Sequence, residues 1–217
     1  MFRLAHLSDI HLGPLPEVAY RDLVSKRITG YINWRRNRSA DLNEGVIDRL
    51  VADLKAARPD HVAVTGDLMN LALGGEIELS RLWLEALGTP HDVSVVPGNH
   101  DSRNVGYAHF ERLFATRETV LHKNGVTIVG VDSTEPDLDY GRIGRHRYPW
   151  IKEAFMERPD DFKVFMLHHH LLPIPGTGRE RNIVNDAGDV LEVLVDCGVH
   201  LVLSGHKHVP YAWRLQD

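Results

Sequence analysis

The stretch HVAVTGD, residues 61–67, places a short apolar, β-branched run directly before a Gly-Asp pair. Such a run, bounded by glycine, predicts a buried β-strand over His61–Thr65. The carboxylate of Asp67 would then stand just beyond the carboxyl end of that strand. The same arrangement recurs along the chain, and its recurrence predicts both the fold and the position of a site.

Five further runs predict strands, and helical patterns lie between them. The other predicted strands are Arg3–Leu7, Val93–Val96, Val126–Val131, Val164–Leu167 and Val199–Ser204. The predicted helices are Asp41–Ala57, Ile77–Leu87, Tyr107–Ala115, Trp150–Glu157 and Asp189–Cys197. Strands that alternate with helices predict an α/β fold with a largely parallel sheet. Ligands of such folds bind beyond the carboxyl ends of the strands.

Five of the six predicted strands are followed by side chains that can bind a metal ion. These segments are Ser8-Asp9-Ile10-His11, Gly66-Asp67, Gly98-Asn99-His100-Asp101, His168-His169-His170 and Gly205-His206-Lys207-His208. Their carboxylates, amide and imidazoles suit Mn, Fe, Zn or Co better than Ca or a thiolate-bound structural zinc. About seven ligands are too many for one ion and fit two ions that share a bridging carboxylate.

The series Asp-x-His, Gly-Asp, Gly-Asn-His-Asp, a His pair and Gly-His-x-His resembles the calcineurin-like metallophosphoesterase family. It looks most like the bacterial branch of cyclic-nucleotide and glycerophosphodiester phosphodiesterases. The resemblance implies a four-layer α/β/β/α sandwich, built as one domain over residues 1–217. Only nine residues, 209–217, follow the last block. Family members usually continue through further strands, so the resemblance leaves open whether the second sheet is complete.

The resemblance also implies a role for each strand-end residue. One ion would be held by Asp9, His11, Asp67 and His208, and the other by Asp67, Asn99, His168 and His206. Asp67 would bridge the two ions, and a hydroxide between them would attack phosphorus. His100 would donate a proton to the leaving group, and Asp101 would orient the imidazole of His100.

Two candidate substrate-binding residues adjoin these blocks. The triplet His168-His169-His170 stands where the family usually has a His pair whose first member is a ligand, so His168 is predicted as the ligand. His169 would face the substrate or support the site. Arg103 follows Gly-Asn-His-Asp and could contact a substrate phosphate, or it could equally be a solvated surface charge.

The segment of residues 14–40 carries six basic residues against two acidic ones, interleaved with three aromatic residues. It is predicted to be an insertion that lies over the strand ends. Three interpretations stay open: a solvated helical face, a cap that attracts a phosphate-bearing ligand, or a surface that meets anionic lipid or another protein. The aromatic residues also make a homodimer contact one of the expected partners.

Composition bounds the class of protein. A chain of 217 residues, 43% of them hydrophobic and with a net charge of −5, fits one soluble domain and makes nucleic acid an improbable partner. One cysteine, Cys197, and no predicted leader or membrane-spanning segment favour a cytoplasmic protein. The predicted function is metal-dependent hydrolysis of small phosphate esters, phosphodiesters above all. The alternatives are a phosphomonoesterase or nuclease on the same site and, from another class, a non-catalytic metal-binding scaffold for protein partners.

Overall fold

The computed structural model describes residues 1–13, 15, 31–32, 44–103, 106–177 and 183–215. Its strands β1 to β7 span Leu4–Leu7, His61–Val64, Val93–Val95, Thr119–Lys123, Val126–Gly130, Phe162–Met166 and Leu201–Leu203. Its helices α1 to α5 span Glu44–Ala57, Gly74–Leu87, Gly106–Phe114, Tyr148–Met156 and Ala187–Asp196. The predicted basic insertion at 14–40 lies almost wholly outside the described residues, and its role stays a prediction.

The strands form two sheets, in the orders β1-β2-β3 and β4-β5-β6-β7. Every neighbouring pair is parallel except β4 and β5. The predicted α/β fold with largely parallel strands is therefore confirmed. Among the described residues, no helix is both long enough and apolar enough to cross a membrane.

Strand β4 is absent from the predicted strands, although the sequence carries a signal for it. Asn124 and Gly125 join β4 to β5, and both have positive φ, 51° and 77°. An Asn-Gly pair with positive φ at both positions forms the two-residue turn that best matches the twist of a hairpin. The run before this pair contains His122 and Lys123, so its alternation looks too polar for a buried strand, as is usual at a sheet edge.

Three apolar clusters hold the layers together. Because successive side chains of a strand point to opposite faces, β2 contributes Ala63 to one cluster and Val62 and Val64 to another. The cluster between the two sheets consists of Ala63, Val96, Val126, Ile128, Val164 and Met166. On the outer faces, Val62 and Val64 pack with residues of α1 and α2, and β5 and β6 pack with α4 and α5. This is the predicted α/β/β/α sandwich, and its strands β1, β2, β3, β6 and β7 all end on the side where the predicted ligands lie.

Candidate metal centre

The structure brings all seven predicted metal ligands together beyond the carboxyl ends of the strands. One group has ligand atoms within 4.8 Å of one another and consists of Asp9, His11, Asp67 and His208. A second group with the same spacing consists of His168, His169 and His206. The Oδ1 atom of Asn99 joins the second group, at 3.1 Å from Nε2 of His168 and 3.0 Å from Nδ1 of His206.

Asp67 lies between the two groups. Its Oδ2 atom is 3.7 Å from Nε2 of His11 on one side and 3.5 Å from Nε2 of His168 on the other. Its Oδ1 atom accepts a hydrogen bond from the backbone amide of His100 at 2.8 Å. A carboxylate in this position, buried and facing one imidazole of each group, has the placement that a bridge between two ions requires.

The first group directs lone pairs into a shared space. Nδ1 of His11 lies 3.2 Å from the carbonyl oxygen of Met69, which accepts its proton and leaves Nε2 as the nitrogen with a lone pair. That Nε2 atom is 3.2 Å from Nε2 of His208. Nε2 of His208 is also 3.4 Å from Oδ1 of Asp9. Oxygen and imidazole nitrogen atoms that converge in this way form a site for a divalent cation.

The second group has the same property. Nδ1 of His168 donates to the carbonyl oxygen of Thr65 at 2.7 Å, so its Nε2 atom carries the lone pair. Full burial lowers the pKa of His168, which keeps the imidazole neutral at neutral pH. Nε2 therefore faces the carbonyl-type oxygen of Asn99 with no hydrogen between the two atoms. Two buried acceptors in contact are costly unless a cation satisfies both.

The electrostatics of the site favour cations. Burial, together with the negative charge of Asp9, raises the pKa of Asp67 to about 8. Burial also acts to raise the pKa of Asp9, but a hydrogen bond with His208 and the neighbouring His168 hold that pKa well below its usual value. Burial lowers the pKa of His206 to about 3. Crowded carboxylates beside neutral imidazoles lack a compensating positive charge, and the residues present therefore fit a pair of divalent ions.

The backbone is strained at the residues that carry the ligands. Positive φ angles occur at Asp9, His11, Asp67, His206 and His208. Non-glycine residues in this conformation cost about 1–3 kcal/mol each, and such residues cluster at functional sites. Close approach of the loops depends on two glycines. A side chain at Gly98 would collide with the carboxylate of Asp67, and one at Gly205 would collide with Ser8 and Asp9.

His100 lies beside the first group, with its ring centroid 4.9 Å from that of His11. The prediction that Asp101 orients this ring is wrong. Nδ1 of His100 lies 2.8 Å from the carbonyl oxygen of Asn70, which is the orienting contact. The fully buried Asp101 carboxylate instead accepts backbone amides. Its donors are Leu68 at 3.3 Å, Met69 at 2.9 Å and Gly98 at 2.9 Å.

Asp101 therefore fastens the loop after β2 to the loop after β3. Burial raises the pKa of its carboxyl to about 7, although the amides of Gly98 and Met69 oppose the shift. Sequence reasoning missed Asn70 because it contributes a backbone carbonyl, a group that every residue has. No pattern of side chains could have found it.

The two predicted substrate-binding residues lie in different surroundings. His169 is fully buried, with Nδ1 2.9 Å from the hydroxyl of Ser133 and its ring packed against Gly141. The guanidinium of Arg103 is partly exposed and lies 3.6 Å from the carboxylate of Asp139. Its positive charge acts to lower the pKa of Asp67, so it stands within electrostatic reach of the ligands.

Comparison with known proteins shows the family to which the chain belongs. The model of the calcineurin-like phosphoesterase family matches residues 2–210. The chain is 28% identical over 206 residues to a probable cyclic nucleotide phosphodiesterase of Synechococcus sp.. This match covers 94% of this chain and 72% of that protein. It is 27% identical over 216 residues to a glycerophosphodiester phosphodiesterase of Enterobacter lignolyticus. This match covers 94% of this chain and 70% of that protein. The chain thus spans about two thirds of the length of such relatives, for example 62% of one from Xenorhabdus bovienii.

Among solved structures, a dimetal phosphatase from Danio rerio shares the fold with a TM-score of 0.64. The identity is 14%, and the match covers 95% of this chain and 82% of that one. At this identity the likeness concerns the fold alone.

Proposed function

The chain belongs to the calcineurin-like phosphoesterase family, and from that premise we propose that it hydrolyses small phosphodiesters with the help of two divalent metal ions. The observation that carries the proposal is the position of Asp67, whose Oδ2 atom lies between Nε2 of His11 and Nε2 of His168. A carboxylate in this position could bridge two ions. A metal-binding scaffold could share this feature, but the presence of His100 beside the metal ligands favours an enzyme.

The proposed ligands follow from the two groups. Asp9, His11, Asp67 and His208 would hold one ion, and Asp67, Asn99, His168 and His206 would hold the other. When bound, the two ions would activate water near neutral pH and stabilise negative charge on the phosphoryl oxygens. Mn, Fe, Zn and Co all accept this mixture of oxygen and imidazole ligands.

His100 is the proposed proton donor to the leaving group. The carbonyl of Asn70 holds one proton on Nδ1, so the second proton of the imidazolium would sit on Nε2 and pass from there to the departing oxygen. The ring centroid of His100 lies 4.9 Å from that of His11, which supports a position beside the proposed first ion. General acid catalysis of this kind typically contributes about 10²–10⁴-fold to the rate.

We assign different roles to Arg103 and His169 in the proposed reaction. Arg103 would leave Asp139 to bind a phosphate oxygen, which a partly exposed guanidinium can do at little cost. The full burial of His169 favours support of the site over contact with the substrate. The predicted homodimer and cytoplasmic location stay predictions.

The diester preference draws on the relatives, which are named as cyclic nucleotide and glycerophosphodiester phosphodiesterases. The test compares turnover of bis(p-nitrophenyl) phosphate with that of p-nitrophenyl phosphate, followed by a cyclic nucleotide and a glycerophosphodiester. We expect a higher kcat/KM on the diester. A higher value on the monoester would make the protein a phosphomonoesterase. Metal-independent activity, or none on any ester, would contradict the proposed function.

A further inference from the structure

The loop that follows β2 orients two imidazoles through consecutive backbone carbonyls. The carbonyl oxygen of Met69 lies 3.2 Å from Nδ1 of His11, and that of Asn70 lies 2.8 Å from Nδ1 of His100. One carbonyl thus serves a proposed metal ligand, and the next serves the proposed proton donor. The direction of each ring depends on where this loop holds its peptide groups.

Two buried carboxylates hold the amide side of the same loop. Oδ1 of Asp101 accepts the amide of Met69 at 2.9 Å. Oε1 of Glu76 accepts the amide of Asn70 at 2.7 Å. The amide of Asn70 belongs to the same peptide group as the carbonyl of Met69, so its bond to Glu76 holds the group that orients His11. The Glu76 carboxylate also accepts the amide of Leu71, at 3.1 Å from Oε2 and 3.3 Å from Oε1. That amide belongs to the same peptide group as the carbonyl of Asn70, which orients His100.

Glu76 makes more of these bonds than helix capping requires. It occupies the third position of α2, where a glutamate often accepts the amide of the N-cap residue. Its Oε2 atom does accept the amide of Leu73 at 3.0 Å. The carboxylate also accepts the amide of Leu71 at 3.1 Å and that of Asn70, both of which lie before the cap.

Burial makes these bonds decisive for the loop. Glu76 is fully buried, and no ion pair within the described residues involves it. An ionised carboxylate without a cation is costly to bury unless hydrogen bonds compensate for the lost water. The three amides of the loop supply that compensation, so the carboxylate and the loop conformation depend on each other.

We propose that Glu76 is a positioning residue for His100. The contact runs from the Glu76 carboxylate to the amide of Leu71, and from the carbonyl of Asn70 in the same peptide group to Nδ1 of His100. This linkage keeps one ring proton on Nδ1, so that Nε2 is the nitrogen that would take up a second proton and pass it to the leaving group. The catalytic part of the proposal rests on the proposed function, whereas the control of the ring does not.

The first test observes the ring directly. In protein labelled with [¹⁵N]histidine, the resonances of His100 are identified by their loss in His100→Ala. We expect the wild-type protein to show the form with hydrogen on Nδ1, and Glu76→Gln to show a mixture of both tautomers. Glu76→Asp, whose shorter side chain draws the carboxylate back from the amides of the loop, should give the same mixture. An unchanged tautomer in both variants would overturn the proposal, whether or not the protein is a phosphodiesterase.

The second test uses leaving groups, because only a poor one needs a proton donor. On a diester with an alkyl leaving group, we expect Glu76→Gln to lower kcat by about 10-fold or more, with KM little changed. On bis(p-nitrophenyl) phosphate the loss should stay under about 3-fold. In the His100→Ala background, Glu76→Gln should cause no further loss. Equal losses on both leaving groups, or an undiminished loss without His100, would overturn the positioning role.

Ser80→Ala is the matched control. Ser80 lies on the same helix, is equally buried, and donates its hydroxyl to the backbone carbonyl of Glu76 at 2.8 Å. The substitution removes a buried hydrogen bond close to Glu76 but leaves the carboxylate and the loop in place. We expect it to preserve the tautomer of His100 and the leaving-group dependence. If Ser80→Ala changed the tautomer population of His100 as much as Glu76→Gln does, the effect would come from a general disturbance of α2, and the proposal would be overturned.

Discussion

The Oδ2 atom of Asp67 lies 3.5 Å from the Nε2 atom of His168, and the two atoms face each other without a proton to join them once the carboxyl group is ionised. The carbonyl of Thr65 takes the Nδ1 proton of His168, and burial keeps that imidazole neutral. The ionised pair therefore needs a cation. The same carboxylate oxygen faces His11, so one residue links both halves of the candidate metal centre.

Replacing Asp67 by asparagine should abolish metal-dependent turnover. The variant keeps a similar shape but loses the negative charge that both proposed ions share, so we expect both to bind at least about 10-fold more weakly. Metal content after dialysis and the rate on bis(p-nitrophenyl) phosphate measure the two effects. Retention of two tightly bound ions and of most activity would remove Asp67 from the bridging role.

The metal-free protein should lose stability as the pH rises from about 4 to about 8. Burial and Asp9 raise the pKa of Asp67 to about 8, against about 4 in the unfolded chain. The folded state then binds this proton more tightly, so the contribution to stability is fully present below about pH 4, declines as the pH rises, and is lost once the pH has passed through 8. The melting temperature of metal-free protein should fall across this window.

Asp67→Asn provides the control for that pH dependence. An amide does not ionise, so the metal-free variant should be more stable than the wild type at pH 9, by on the order of 2 kcal/mol. Its melting temperature should vary less with pH in the same window. Metal ions added to the wild type should reverse the loss, because they favour the ionised carboxylate. A wild-type melting temperature that rises toward pH 9 without metal would contradict this account.

The His triplet can be resolved by single substitutions. His168→Ala should remove one ion per chain, because Nε2 of His168 faces both Asp67 and Asn99. His170→Ala is the matched control, since it removes another buried imidazole from the same triplet. Metal content measured by mass spectrometry of the native protein distinguishes them. Loss of an ion from the His170 variant, with none lost from the His168 variant, would show the assignment to be mistaken.

Arg103→Ala should weaken substrate binding with a smaller effect on kcat. The guanidinium is at the rim of the site and is held by Asp139. We expect KM to rise by about 3- to 10-fold, in keeping with one charged hydrogen bond to a phosphate. Asp139→Ala should act in the opposite direction by freeing the guanidinium. An unchanged KM in Arg103→Ala would leave this arginine as a solvated surface charge.

The strand ends were predictable because their chemistry is carried by side chains. A buried strand such as His61–Val64 is visible as an apolar run, and the carboxylate that follows it must lie at the edge of the sheet. Asp67 follows β2 in one sheet and His168 follows β6 in the other. Because both strands end on the same side of the molecule, the two residues meet although they are about a hundred residues apart in the chain. The fold and the set of converging ligands could therefore be predicted from the sequence.

The contacts that orient the rings could not be predicted in this way. The partner of His100 is the backbone carbonyl of Asn70, and that of His168 is the carbonyl of Thr65. Backbone groups leave no signature in the sequence. Asp101 was expected to act on its neighbour His100 because the two are adjacent, yet its carboxylate turns toward the amides of another loop. Adjacency in the chain says little about the direction of a side chain at a strained turn.

The most direct test of the central claim is a metal reconstitution in which bound ions and turnover are measured on the same sample. The protein is stripped of metal and titrated separately with Mn, Fe, Zn or Co, with Asp67→Asn alongside. We predict that hydrolysis of bis(p-nitrophenyl) phosphate rises with the second ion bound per chain, reaches its maximum at two, and stays absent in the variant. Full activity with one ion, or two bound ions that restore no hydrolysis of any phosphate ester, would contradict a two-metal phosphoesterase.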